Sequence, residues 1–184
     1  MIQKLWLALA LLSLSFYSYG QQVPGRQLRF SDYKGRPDAA QSFKAITFCN
    51  VSYKLNRPVG CEDEAHVRFP EVTTQANFDP QSWIRGKDSI VPSHRTLLLL
   101  HEQGHYDLFK VYSLELKQAI RITCFDSDNY EQEVEAINHE LFMKYDQIQR
   151  AYDAETVHGT ELQQQAVWKQ RIYNMYQAVA SPNT

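Results

Sequence analysis

Near residue 93 the spacing of apolar residues changes from alternation to a helical period, which limits the chain to a fold with strands first and helices after. Before that point, runs such as Ala45-Ile-Thr-Phe-Cys-Asn-Val-Ser-Tyr and Ala65-His-Val-Arg-Phe combine β-branched and aromatic residues and predict a small sheet over 27–78. Pro70, Pro80 and Pro92 punctuate it, and residues 79–93 read as an ordered loop pinned by Trp83 and Ile84. Beyond Ser93, a plausible helix start, Leu97, Leu100, Leu108, Val111 and Leu114 are spaced by threes, fours or their sums, predicting one helix to about Arg121. After turn chemistry at 126–129, Val134, Ile137, Leu141, Tyr145, Ile148 and Tyr152 share a face of a second helix ending near Thr156. Thr160 with Gln163 is a capping-box start for a third helix ending near Ala178. Segregated strands and helices indicate an α+β domain, a small N-terminal antiparallel sheet followed by three helices.

Residues 1–20 form a targeting segment: Lys4, an apolar run from Leu5 to Phe16, then the small residues Ser18 and Gly20. Its apolar run is short for a membrane span, and no later stretch approaches the roughly 20 apolar residues needed, so no membrane association is expected after cleavage. Residues 21–184 then form one domain, exported to the periplasm or the extracellular space. A formal charge of -2 with dispersed Lys and Arg excludes the basic stripe a phosphate backbone demands, so nucleic acid is not an expected partner. Three cysteines suit an oxidising compartment with one disulfide. Cys49 with Cys61 is the preferred pair, because the short loop between them carries the turn formers Asn56, Pro58 and Gly60.

The first helix contains His101-Glu102-Gln103-Gly104-His105. Spacing of i, i+4 puts both imidazoles on one helical face about a turn apart, a clamp for one ion, with Glu102 beside it as general base toward a metal-bound water. Imidazole ligands favour Zn2+, and three protein ligands leave a fourth position for water. With six His in 184 residues, a chance HExxH arises in on the order of one such chain in a hundred. Gly104, which costs a helix about 1 kcal/mol relative to Ala, suggests that something packs close against it.

The third ligand must come from elsewhere, since Leu108 and Val111 occupy the positions where a metzincin carries its glycine and third histidine. Glu131, Glu133 and Glu135 are the gluzincin-like choice. However, at 1.5 Å per residue the first helix carries the chain roughly 24 Å from His105 to Arg121 before they begin. An antiparallel second helix brings back Tyr152, Asp153, Glu155 and His158 instead. His158 is the favoured third ligand, with Asp153 or Glu155 next and the distal glutamates last. Tyr152, Asp153 and Glu155 are also candidates for transition-state or second-layer roles around the metal. His66, His94 and His139 read as surface or packing histidines, and Tyr106 as core.

The chain resembles a family of exported bacterial proteins catalogued as domain of unknown function 922, regarded as candidate HExxH zinc metallopeptidases. The resemblance runs from Leu28-Arg-Phe-Ser-Asp-Tyr-Lys-Gly through Ser82-Trp83-Ile84, Leu100-His-Glu-Gln-Gly-His-Tyr-Asp and Tyr152-Asp-Ala-Glu-Thr-Val-His-Gly to Gln165 and Trp168. Phe30 and Tyr33 stand where the family pattern usually has Trp and Phe. The resemblance implies a further metal ligand in the second specific segment, falling on His158, and it names no substrate. The expected activity is hydrolysis of peptide bonds in a peptide or protein substrate, with an extended substrate pairing along residues 72–78. The rival expectation is a zinc-stabilised, non-catalytic binding or scaffold module of the cell envelope, in which a fourth protein ligand closes the site.

Overall fold

A computed structural model describes residues 22–181; the targeting segment expected over 1–20 lies outside the described residues. Short strands precede three helices: β1 (Ala45–Ile46), β2 (Cys49–Leu55), β3 (Val59–Gly60), β4 (His66–Arg68), β5 (Val72–Phe78), β6 (Trp83–Ile84), α1 (Pro92–Ile122), β7 (Phe125–Asp126), α2 (Tyr130–Thr156) and α3 (Leu162–Ala180). The architecture is the expected α+β arrangement. In place of one small sheet the described residues form three small antiparallel sheets, β1 with β6, β2 with β5, and β3-β4-β7. Pro70 and Pro80, which cannot donate to a ladder, stand between β4 and β5 and between β5 and β6.

Helix α1 is 31 residues long, roughly 46 Å at 1.5 Å per residue, and forms the spine of the molecule. Its Leu108, Val111, Leu116 and Ile120 are fully buried and meet Val72 of β5, Val134 and Tyr152 of α2, and Trp168 of α3 in one core. Each such aliphatic side chain contributes about 1.5–3 kcal/mol when fully buried. Val91 is the N-cap and Pro92 opens the helix, one residue ahead of the expected start; the fixed φ of proline suits that first position. Helices α1 and α2 are antiparallel, because partners pair in opposite order along them: His101 with Asp153, His105 with Gln149, and Tyr112 with Asn138. The expected Thr160 cap is not used: the Thr160 hydroxyl donates to Val157 O, and Glu161 caps α3 without a side-chain bond.

The disulfide joins Cys61 to Cys124, not Cys49 to Cys61. Strand β2 carries the chain about 20 Å away from Cys49 over its seven residues, so proximity in sequence is not proximity in space. Cys61 instead meets the residue preceding β7, because β4 pairs with both β3 and β7. Cys49 remains a half-buried thiol whose pKa is pushed up to about 12, chiefly by burial and then by the Glu102 charge. With a sequence separation of 63 between the bridged cysteines, chain entropy predicts that Cys61→Ser lowers unfolding free energy by about 4 kcal/mol. Urea denaturation would show this, with Cys49→Ser leaving the midpoint near the parent's.

Candidate metal centre

His101 and His105 face α2 across the helix pair, with ring centroids 4.7 Å apart, and their Nε2 atoms lie 3.2 Å from each other. Asp153, returned by α2, completes a triangle: its Oδ1 is 3.1 Å from His101 Nε2 and 3.0 Å from His105 Nε2. Donors held about 2.0–2.1 Å from one tetrahedral zinc lie roughly 3.3–3.4 Å apart, so the triangle is slightly tighter than such a site and needs only a small opening to match it.

The tautomers point the same way. His101 Nδ1 lies 3.2 Å from Gln165 Oε1, and His105 Nδ1 lies 2.5 Å from Gln149 Oε1. The amide orientations are set by their nitrogens: Gln165 Nε2 donates to the Tyr152 hydroxyl and Gln149 Nε2 donates to His105 O. Both Nδ1 atoms therefore face acceptors and carry their hydrogens. In the neutral rings this leaves both Nε2 lone pairs aimed at the Asp153 carboxylate oxygen, an arrangement that calls for a cation at its centre. A proton on either Nε2 can supply that positive charge. Burial alone would raise the Asp153 pKa, but hydrogen bonds and charge from His101 and His105 hold it well below the usual carboxylate range. Burial would likewise lower the His105 pKa, yet the Asp153 hydrogen bond and the Glu102 and Asp153 charges leave it raised.

Asp153, weighed from the sequence behind His158, is thus the third donor nearest both histidines. His158 lies at the rim. Its Nδ1 is 3.3 Å from Asp153 Oδ1, and His101, Asp153 and His158 offer donor atoms within 4.8 Å of one another, but the His158 side chain is half exposed. The cause is the turn that ends α2: Val157 and His158 both have left-handed backbone, φ 47 and 52, with Gly159 at φ 82. A left-handed β-branched residue costs on the order of 1–3 kcal/mol, a strain that clusters at functional sites. The same turn presses Gly159 against His101, where a Cβ would come within 2.7 Å of the His101 Cβ. Phe43 meets the His158 ring edge-on from the opposite side of the cleft.

Tyr152 and Glu155 do not face the cleft. Tyr152 is fully buried behind the clamp, stacks on His101 and donates to His101 O at 3.0 Å. It occupies the space left by Gly104, where an added Cβ would collide with its hydroxyl and ring. Glu155 accepts from Trp168 Nε1 at 2.8 Å. The distal glutamates are engaged at the other end of α2, Glu133 with the Asp126 amide and Glu135 with the Tyr53 hydroxyl. Tyr106 is core, its hydroxyl donating to Ala76 O.

Glu102 is 4% exposed, yet it borders, with the two histidines, Asp153 and His158, a cleft of about 610 Å³. Residues 42–47 form one wall of this cleft; residues 72–78, the expected substrate edge, do not border it and lie paired with β2 and packed on α1. Within that wall, the Thr47 hydroxyl donates to Glu102 Oε2 at 2.5 Å, and the Tyr33 hydroxyl lies 2.9 Å from Thr47 Oγ1. Reading the sequence did not single out Thr47 or Gln149. Gln149 stands four residues before Asp153 on one helical face, a spacing that could have flagged it. Thr47 is 55 residues from Glu102 and leaves no local signal.

A family model described as "Bacterial protein of unknown function (DUF922)" matches residues 24–159, which contain the clamp, Glu102, Asp153 and His158. The chain belongs to this family. The DUF922 match ends at Gly159, so Gln165, which orients His101, comes from helix α3 beyond it. No curated protein and no solved structure shows a match.

Proposed function

We propose that this DUF922 chain is an exported zinc-dependent hydrolase, a metallopeptidase acting on extended peptide or protein substrates. The observation that carries the reading is the convergence of His101 Nε2, His105 Nε2 and Asp153 Oδ1 beside a buried glutamate in an open cleft. These three atoms would hold the zinc. When bound, the metal supplies a Lewis acid that polarises an amide carbonyl and lowers the pKa of a coordinated water toward about 7. Glu102 accepts the proton of the attacking water and delivers it to the leaving amine nitrogen. Gln149 and Gln165 keep the imidazoles in the tautomer that presents Nε2. Export is supported by the apolar run within residues 1–20 and by the Cys61–Cys124 disulfide, which belongs in an oxidising compartment. Among the described residues no helix is long and apolar enough to cross a membrane.

A second reading, a zinc-stabilised module without hydrolysis, is favoured by the nearness of His158 Nδ1 to Asp153, since a fourth protein donor would close the site. The two separate in one assay. The zinc-loaded chain from residue 21 is expected to cleave members of a mixed peptide library, to stop on chelation and to resume on zinc return. Stoichiometric zinc without any cleavage would support the closed module instead.

A further inference from the structure

Thr47 lies in the two-residue link between β1 and β2, on the cleft wall, where it meets Glu102 of α1. We infer that Thr47, backed by Tyr33, is a positioning residue that fixes which oxygen of Glu102 takes the proton, an inference that rests on the hydrolase reading above. An ionised carboxylate only accepts hydrogen bonds, so the single Thr47 hydroxyl proton goes to Glu102 Oε2. Thr47 Oγ1 must then accept from the Tyr33 hydroxyl, for which no other partner exists among the described residues. Tyr33 is 2% exposed and held edge-on against Phe78, so this end of the relay is anchored in the core. Burial first, and the Glu102 charge next, raise the Tyr33 pKa, which keeps it a donor.

The two hydrogen bonds point one way, and bonds in series strengthen one another at low dielectric. No protein donor among the described residues reaches Glu102 Oε1. The relay therefore holds one oxygen and leaves the other for the proton of an attacking water. Without it the carboxylate would be free to rotate about its terminal torsion, and the accepting oxygen would lose its fixed place.

A purely structural Thr47 would only satisfy a buried carboxylate. Acetohydroxamic acid separates the roles, because it binds a metal as its anion and its hydroxyl proton needs an acceptor beside the metal. The experiment titrates it into the cobalt-substituted chain and reads the visible spectrum, with cobalt affinity and thermal midpoint measured in parallel. Loss of the fixed place of the accepting oxygen predicts that Thr47→Val weakens acetohydroxamate binding about 10- to 100-fold at unchanged cobalt affinity. Thr47→Ser, which keeps the hydroxyl, should stay close to the parent, and Tyr33→Phe should lose a smaller factor. Parent-like binding by Thr47→Val overturns the inference. If Thr47→Val does not fold, Tyr33→Phe decides by the same criterion. A parent that holds cobalt but shows no spectral response to the acid overturns the open, base-bearing site itself, a failure visible before any substitution is made.

Discussion

Asp153→Ala is expected to weaken zinc binding by two or more orders of magnitude. Structural zinc sites bind with roughly 10–16 kcal/mol shared among their ligands, so one ligand represents about 3 kcal/mol, or more than a hundredfold in affinity. Asp153 Oδ1 is the one hydrogen-bonding oxygen shared by both clamp nitrogens among the described residues, and removing it leaves two imidazoles facing each other without their anion. His158→Ala is the informative comparison, because its side chain stands at the rim on a left-handed turn. A loss smaller than that of Asp153→Ala is expected from it. A competition titration against a zinc chelator of known affinity measures both. Equal losses would make His158 a full ligand and favour the closed module.

Glu102→Gln is expected to retain zinc and lose hydrolysis by about two or more orders of magnitude, because an amide cannot accept the water proton. Glutamine keeps the volume and can still accept from the Thr47 hydroxyl through its carbonyl oxygen, so the fold and the clamp should be undisturbed. Steady-state rates on a substrate from the library assay, beside metal content by elemental analysis, give both halves of this expectation. A variant as active as the parent would remove Glu102 from the chemistry.

The helices were legible because their evidence is local. Periodicity placed α1 and α2 to within a residue or two, and the length of α1 ranked the distal glutamates last, which α2 does hold at its other end. Gly104, odd in mid-helix, marked the close approach of the Tyr152 ring. The choice between Asp153 and His158 was not legible. Both arrive with the end of α2, and their order at the clamp is decided by a left-handed turn at Val157 and His158 that begins on a β-branched residue, for which that backbone is an outlier. The cysteine pairing failed for a related reason: β7, from beyond α1, joins β4, and that long-range contact brings Cys124 to Cys61. Thr47 and Tyr33 reach Glu102 only once the β1–β2 link is folded over α1.

Anomalous diffraction at the zinc edge, from crystals of the zinc-loaded chain beginning at residue 21, tests the central claim most directly. The account predicts one strong peak about 2.0–2.2 Å from His101 Nε2, His105 Nε2 and Asp153 Oδ1. It would be contradicted by a peak elsewhere, such as the exposed His66–Asp63 pair, or by no peak at the clamp in a chain with free access to zinc.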